Sequence, residues 1–286
     1  MGSFPGHALP GSFFIVVSLW WTVNIVYYFN KARWTGQTYL CRSNFMLYRQ
    51  TGPYKVVPVE AIFKIIFAVV GILGEFIWAL KYDFGLPVGN AQHMTMFAFF
   101  GISGMCDVIA HYKRGFVPPN IDYVAIILAF LVEALLFNFH LHGRSSLDAT
   151  IHSLLVYTIL SSAILIGVES IMVNNALVSL TKALSLLVHG TWFWQIGFIL
   201  YSPSRVPSSW HAEDQDHIFL AVLVFVWHVA FNIAVIAVTG VTVTIVQRRL
   251  FHETSGYRAV DISDSQFSRT MFLGKEDVLT DESDSS

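Results

Sequence analysis

His140 and His142 end the apolar run Phe137-Asn138-Phe139-His140-Leu141-His142, and Asp148 and His152 open the next one. Imidazole and carboxylate groups at such spacings support two kinds of chemistry. They can hold zinc, iron or copper. Alternatively, a carboxylate can orient an imidazole and raise its basicity for proton transfer. Asp148 and His152 are i, i+4 neighbours, and Glu133 and His140, seven apart, share another helix face. Glu75, His93, His189 and His228 add ionisable groups from four other apolar runs.

The surroundings of these groups make them informative. The chain has 286 residues, of which 55% are hydrophobic and only 13% charged, and its mean hydropathy is +0.58. Soluble domains carry about 25% charged residues. The deficit, with repeated long apolar runs, predicts an all-α, polytopic integral membrane protein. Ionisable groups inside such a bundle are costly and mark candidate functional sites. No basic patch suggests nucleic acid. Cys41 sits in a basic loop and Cys106 in an apolar run, so no disulfide between them is expected.

Seven spans are expected, at about 10–30, 57–80, 91–112, 121–142, 148–170, 178–201 and 217–246, each near the roughly 20 residues that cross hydrocarbon. Together they form one seven-helix bundle over residues 1–250, followed by a disordered acidic tail over 251–286. Lys31, Arg33, Arg42, Arg49 and Lys55 follow the first span, and Lys113 and Arg114 follow the third. Lys182 marks an end of the sixth span, and Arg248 and Arg249 close the seventh. Positive charge favours the cytosolic side, so the amino terminus is expected to be lumenal or extracellular and the carboxyl terminus cytosolic. With that direction, Glu75, His93, Glu133, His140, His142, Asp148 and His152 gather towards the lumenal half. His189 and His228 lie near mid-depth, and Asp107, His111 and Glu169 towards the cytosol.

The amino-terminal run Met1-Gly2-Ser3-Phe4-Pro5-Gly6-His7-Ala8-Leu9-Pro10-Gly11-Ser12-Phe13-Phe14 resembles the opening of the transmembrane protein 45 family. So do Leu19-Trp20-Trp21, the central hairpin from Val132-Glu133-Ala134 to His152-Ser153-Leu154-Leu155, and Gly190-Thr191-Trp192-Phe193-Trp194-Gln195 with Trp227-His228. The resemblance runs in order over roughly residues 1–250. It implies a multi-spanning protein of endomembranes or the plasma membrane and no particular reaction. His189 stands where the family pattern carries Gln, which weakens any essential role for it.

The leading functional expectation is a polar site in the lumenal half, open to a lipid-like small molecule and to membrane lipids. In its enzymatic form this is a metal-dependent membrane enzyme. His93, His140, His142 and His152 would hold a transition metal such as zinc or iron, and Glu133 or Asp148 would serve as base. The alternative is a non-catalytic transporter, receptor-like or trafficking protein whose buried groups relay protons or lock helices. No strict HExxH motif supports the metal. The tail adds Tyr257 and, three residues on, Val260, a pattern resembling a sorting signal read by adaptors, which suggests an endosome, lysosome or Golgi location.

Overall fold

The computed structural model describes residues 3–48, 56–82, 86–139, 141, 143–201 and 210–280, with side chains omitted beyond 250. It is built from helices α1 (Phe4–Trp34), α2 (Val59–Tyr82), α3 (Val88–Tyr112), α4 (Ile121–Phe139), α5 (Ser146–Ile171), α6 (Ala176–Tyr201) and α7 (Gln215–Thr280). All seven are long and apolar enough to cross a membrane, with the seventh apolar stretch ending at Leu250. The backbone polar groups of a spanning segment have no water to bond, so helices that satisfy themselves internally are the required answer. A two-residue antiparallel pair, β1 (Leu47–Tyr48) with β2 (Val56–Val57), decorates the first loop. The polar tail begins within α7, which runs on to Thr280 as helix.

Local chemistry sets the helix ends. Ser3 caps α1, its hydroxyl accepting from the Gly6 amide at 3.2 Å, with Pro in the first turn. Ser145 caps α5 by accepting from the Asp148 amide, and Asp148 itself sits at the positive end of the helix dipole. Asn175 caps α6 through Leu177. Gly143 turns the hairpin between α4 and α5 at φ 77°, a conformation glycine adopts without strain.

The first compact unit, Met1–Gly240, holds the six preceding helices and the start of α7. Helices two to six pack in chain order, and α1 returns along α6. The α1–α6 contact is very close, since a Cβ on Gly11 would lie 2.7 Å from the Gly190 carbonyl oxygen. Gly104 plays the same part between α3 and α2, where a Cβ would meet Ile65 and the Ala61 carbonyl. The first part of α7 leans on α6, with the Asn232 amide donating to Thr191 Oγ1 at 2.8 Å. Only 11% of its apolar window is buried, leaving Phe219, Leu223, Val226 and Phe231 exposed, as lipid contact requires.

At the end where α1 stops and α2 starts, charge is paired across helices. Lys182 on α6 meets Glu169 on α5 at 2.5 Å, each side chain 1% exposed. The same ammonium lies 4.2 Å from the centre of the Trp21 ring. Lys64 on α2 pairs with Asp107 on α3. Lys182 lies near the start of α6, at the end of the sixth span where the sequence put it, as a buried ion-pair partner.

The segment 35–48 folds back under this end. Its Cys41 amide donates to Val173 O at 2.8 Å, Tyr39 Oη donates to Ser179 Oγ at 3.1 Å, and the Phe45 amide donates to Glu60 Oε2 at 3.0 Å. Ser43 donates to Asp122. Burial pushes the Tyr39 phenol up to about 12 and raises the Cys41 thiol as well, so both remain neutral hydrogen-bonding groups near pH 7.

Removing one partner of a buried pair strands the other charge, a loss of about 3–5 kcal/mol. Lys182→Met should therefore lower unfolding stability in detergent by about that much, and adding Glu169→Leu should restore most of it. A single variant as stable as the double would contradict this account of the pair.

Candidate functional site

The opposite end of the first unit encloses a cavity of about 260 Å³. It lies where α1 and α3 begin and α2 and α4 end, and its lining includes His7, Glu75, His93 and Glu133. Near mid-depth α1 and α2 meet by stacking of Phe13 on Phe67, with ring centres 3.9 Å apart. Towards the cavity, Leu9 and Pro10 of α1 share its lining with Gly71, Gly74 and Trp78 of α2. Phe14, Phe97, Phe100, Phe137 and Phe193 make most of the remaining wall.

Two polar groups lie at this end, the first in the cavity lining and the second reaching it only through His7. On α2 and α3, Glu75 accepts from Asn90 Nδ2 at 2.7 Å and lies 3.1 Å from His93 Nδ1. On α5, His152 Nδ1 is 2.7 Å from Asp148 Oδ1 and 3.0 Å from the Asp148 carbonyl oxygen. Arg144 Nη1 donates to the second Asp148 oxygen at 2.7 Å. Burial opposes the charge on Arg144, yet the Asp148 carboxylate holds the guanidinium pKa above its ordinary value. Arg144, Asp148 and His152 thus form a line that ends at His7, whose Nε2 is 3.5 Å from His152 Nε2.

The hydrogen bonds of this line define its chemistry. His7 Nδ1 faces Ser3 O at 2.9 Å, and a carbonyl only accepts, so His7 carries its proton there. His152 Nδ1 faces only acceptors too. Both Nε2 atoms are left as lone pairs turned towards each other. A single added proton placed between them would be shared by both, and Asp148 orients the His152 ring of the pair.

Glu133 is 3% exposed. Its Oε1 is 3.6 Å from His189 Nε2, too long for a hydrogen bond, and its Oε2 has no hydrogen-bond partner among the described residues. His189 is stacked between Phe14 and Phe193, with centroid distances of 4.2 and 5.1 Å. His228 lies on α7 beside the edge of Trp192, 5.5 Å away, and is not in the cavity lining.

The expected metal ligands are divided. His93 belongs to the Glu75 group and His152 to the His7 group, while His140 and His142 lie outside the described residues. Among the described residues, no three His, Cys, Asp or Glu side chains gather as a metal site. Sequence reasoning also missed His7. Starting the first span near residue 10 left this histidine outside the membrane, whereas the Ser3 cap and Pro5 start the helix at Phe4. Tyr257 and Val260 fall in the part of α7 whose side chains are not described.

Comparison with known proteins gives this geometry a context. Residues 120–241, from the start of α4 into α7, match a family described as "Family of unknown function (DUF716)". Over 142 residues the chain is 26% identical to transmembrane epididymal protein 1 of Homo sapiens, covering 49% of this chain and 51% of that protein. It is 27% identical to the Rattus norvegicus protein of the same name, covering 49% and 46%. Transmembrane epididymal protein 1A of Mus musculus is 25% identical over 153 residues, covering 53% and 50%. The matches thus span about half the length of these curated relatives. The chain is a multi-pass membrane protein, similar over about half of its length to proteins named as transmembrane.

Asp148 joins two cationic or hydrogen-bonding partners, and a hydrogen bond to a charged group contributes about 1.5–3 kcal/mol. Asp148→Ala should lower the stability of the detergent-solubilised protein by about 2 kcal/mol. Thermal and denaturant unfolding would check this, and an unchanged midpoint would contradict the proposed alignment of His152.

Proposed function

We propose that the cavity binds a lipid-like small molecule, with its polar end against Glu75, His93, His7 and Glu133 and its chain running out between α1 and α2. The observation that carries this reading is the lining itself. The lining is divided between apolar residues of α1, α2, α3, α4 and α6 and four ionisable groups, His7, Glu75, His93 and Glu133. Such a division suits an amphiphile, because ligand pockets join an apolar wall to a few convergent polar groups. The reading rests on imidazoles and carboxylates and needs no metal.

The positively charged loops support an orientation in which this cavity faces the lumen or exterior. The docked segment 35–48 would then lie on the cytosolic side, with the carboxyl-terminal part of α7. There Tyr257 and Val260 would act as an adaptor-read signal holding the protein in endomembranes. Tyr257→Ala should move it to the cell surface, as followed by surface labelling, and an unchanged distribution would remove that signal from the account.

Gly74 offers the direct test of binding. It lines the cavity, and a Cβ there meets no atom within 4 Å. Gly74→Leu should therefore fill the space without disturbing the fold. Mass spectrometry of small molecules extracted from the purified protein should find an amphiphile with the wild type and several-fold less with Gly74→Leu. Equal recovery from both would overturn the reading.

A further inference from the structure

We infer that the polar end of the bound molecule is an organic cation, a protonated amine or a quaternary ammonium group. This rests on the reading of the cavity as an amphiphile site and specifies its chemistry.

The lining contains seven Phe and Trp side chains and two carboxylates, Glu75 and Glu133, and no lysine or arginine among the described residues. Aromatic faces carry negative charge density and attract cations, most strongly when the site is dry. Carboxylates supply the counter-charge. An anionic phosphate or carboxylate head would instead meet two acidic groups. The buried lysines do not help it, because Lys64 and Lys182 are both engaged in ion pairs away from the cavity lining. Arg144 is likewise committed to Asp148.

Glu133 points to the same ligand independently. Ionised, Oε2 is a buried charge with no hydrogen bond among the described residues; protonated, it is an O–H with no acceptor there. Both states are costly inside a membrane bundle. A ligand ammonium beside it removes the cost by pairing with the ionised form. The chain contains this chemistry in another place. The Lys182 ammonium is held by a carboxylate at 2.5 Å and by the face of Trp21, 4.2 Å to the ring centre. The cavity offers the same two kinds of partner with the cation missing from the chain itself.

Size agrees with a head group as the occupant. Pockets for drug-sized ligands measure roughly 300–1,000 Å³, and this cavity is about 260 Å³. It fits the cationic end and the first carbons of a chain that continues between α1 and α2. Choline-type lipid heads and free hydrophobic amines share this chemistry.

The test uses the full-length chain in maltoside micelles doped with one of three probes. These are dodecyltrimethylammonium, its uncharged isostere with carbon in place of nitrogen, and dodecyl phosphate. Thermal stabilisation is titrated for each. The ammonium should bind roughly tenfold more tightly than the isostere, a difference of about 1.4 kcal/mol. Glu133→Gln and, separately, Glu75→Gln should each reduce that preference without loss of the folded state. Equal binding of all three probes, or tighter binding of the phosphate, overturns the cation and leaves the amphiphile reading standing. Binding of none, with Gly74→Leu behaving as wild type, overturns both. A second arm compares nanodiscs of phosphatidylcholine and phosphatidylglycerol. Stabilisation by phosphatidylcholine assigns the cation to a lipid head, and stabilisation by the free ammonium alone assigns it to a soluble amine.

Discussion

A charge in hydrocarbon must be compensated within the protein, and this single requirement organises the structure. Moving an ion out of water costs several kcal/mol even after relaxation. At one end of the first unit the cost is met by partners on neighbouring helices. Lys182 with Glu169 joins α6 to α5, and Lys64 with Asp107 joins α2 to α3. Glu60 is satisfied by the Trp21 indole at 2.9 Å and the Phe45 amide at 3.0 Å, which ties α1 and the first loop to α2. These links need close helices, and Gly11, Gly190 and Gly104 permit the approach.

The other end meets the same requirement only in part. Glu75 has Asn90 and His93, and Asp148 has Arg144 and His152. The Glu133 Oε2 atom has no hydrogen-bond partner among the described residues, and Glu133 lines the cavity. Polar groups that are fully paired make a lock, whereas polar groups left unpaired around a cavity make a binding site. Glu169 Oε1 is unpaired among the described residues as well, but away from the cavity; the ends differ in that the unpaired Glu133 oxygen belongs to a cavity wall, and the proposed function follows from that difference.

Much of the architecture is legible in the sequence because length and hydropathy are direct consequences of bilayer thickness. Seven helices long and apolar enough to cross a membrane follow the apolar runs, the first starting earlier than expected, at Phe4. The Asp148–His152 contact is legible too, because an i, i+4 relation fixes proximity on any helix. Contacts between helices are not encoded in spacing. Nothing local says that Lys182 turns inward to Glu169. Nothing says that segment 35–48 docks under the bundle, or that His7 meets His152 across 145 positions. His228 illustrates the reverse, since its depth matches the cavity while its helix packs outside α6. The division of His93 from His152 likewise depends on which helices are neighbours.

The most direct test is an experimental structure of the wild-type chain in nanodiscs of native lipid, at a resolution that shows ordered lipid. The account predicts elongated density entering between α1 and α2, with its end beside Glu133 and Glu75. A cavity filled only with ordered water, or one closed by collapse of α1 on α2, would contradict it.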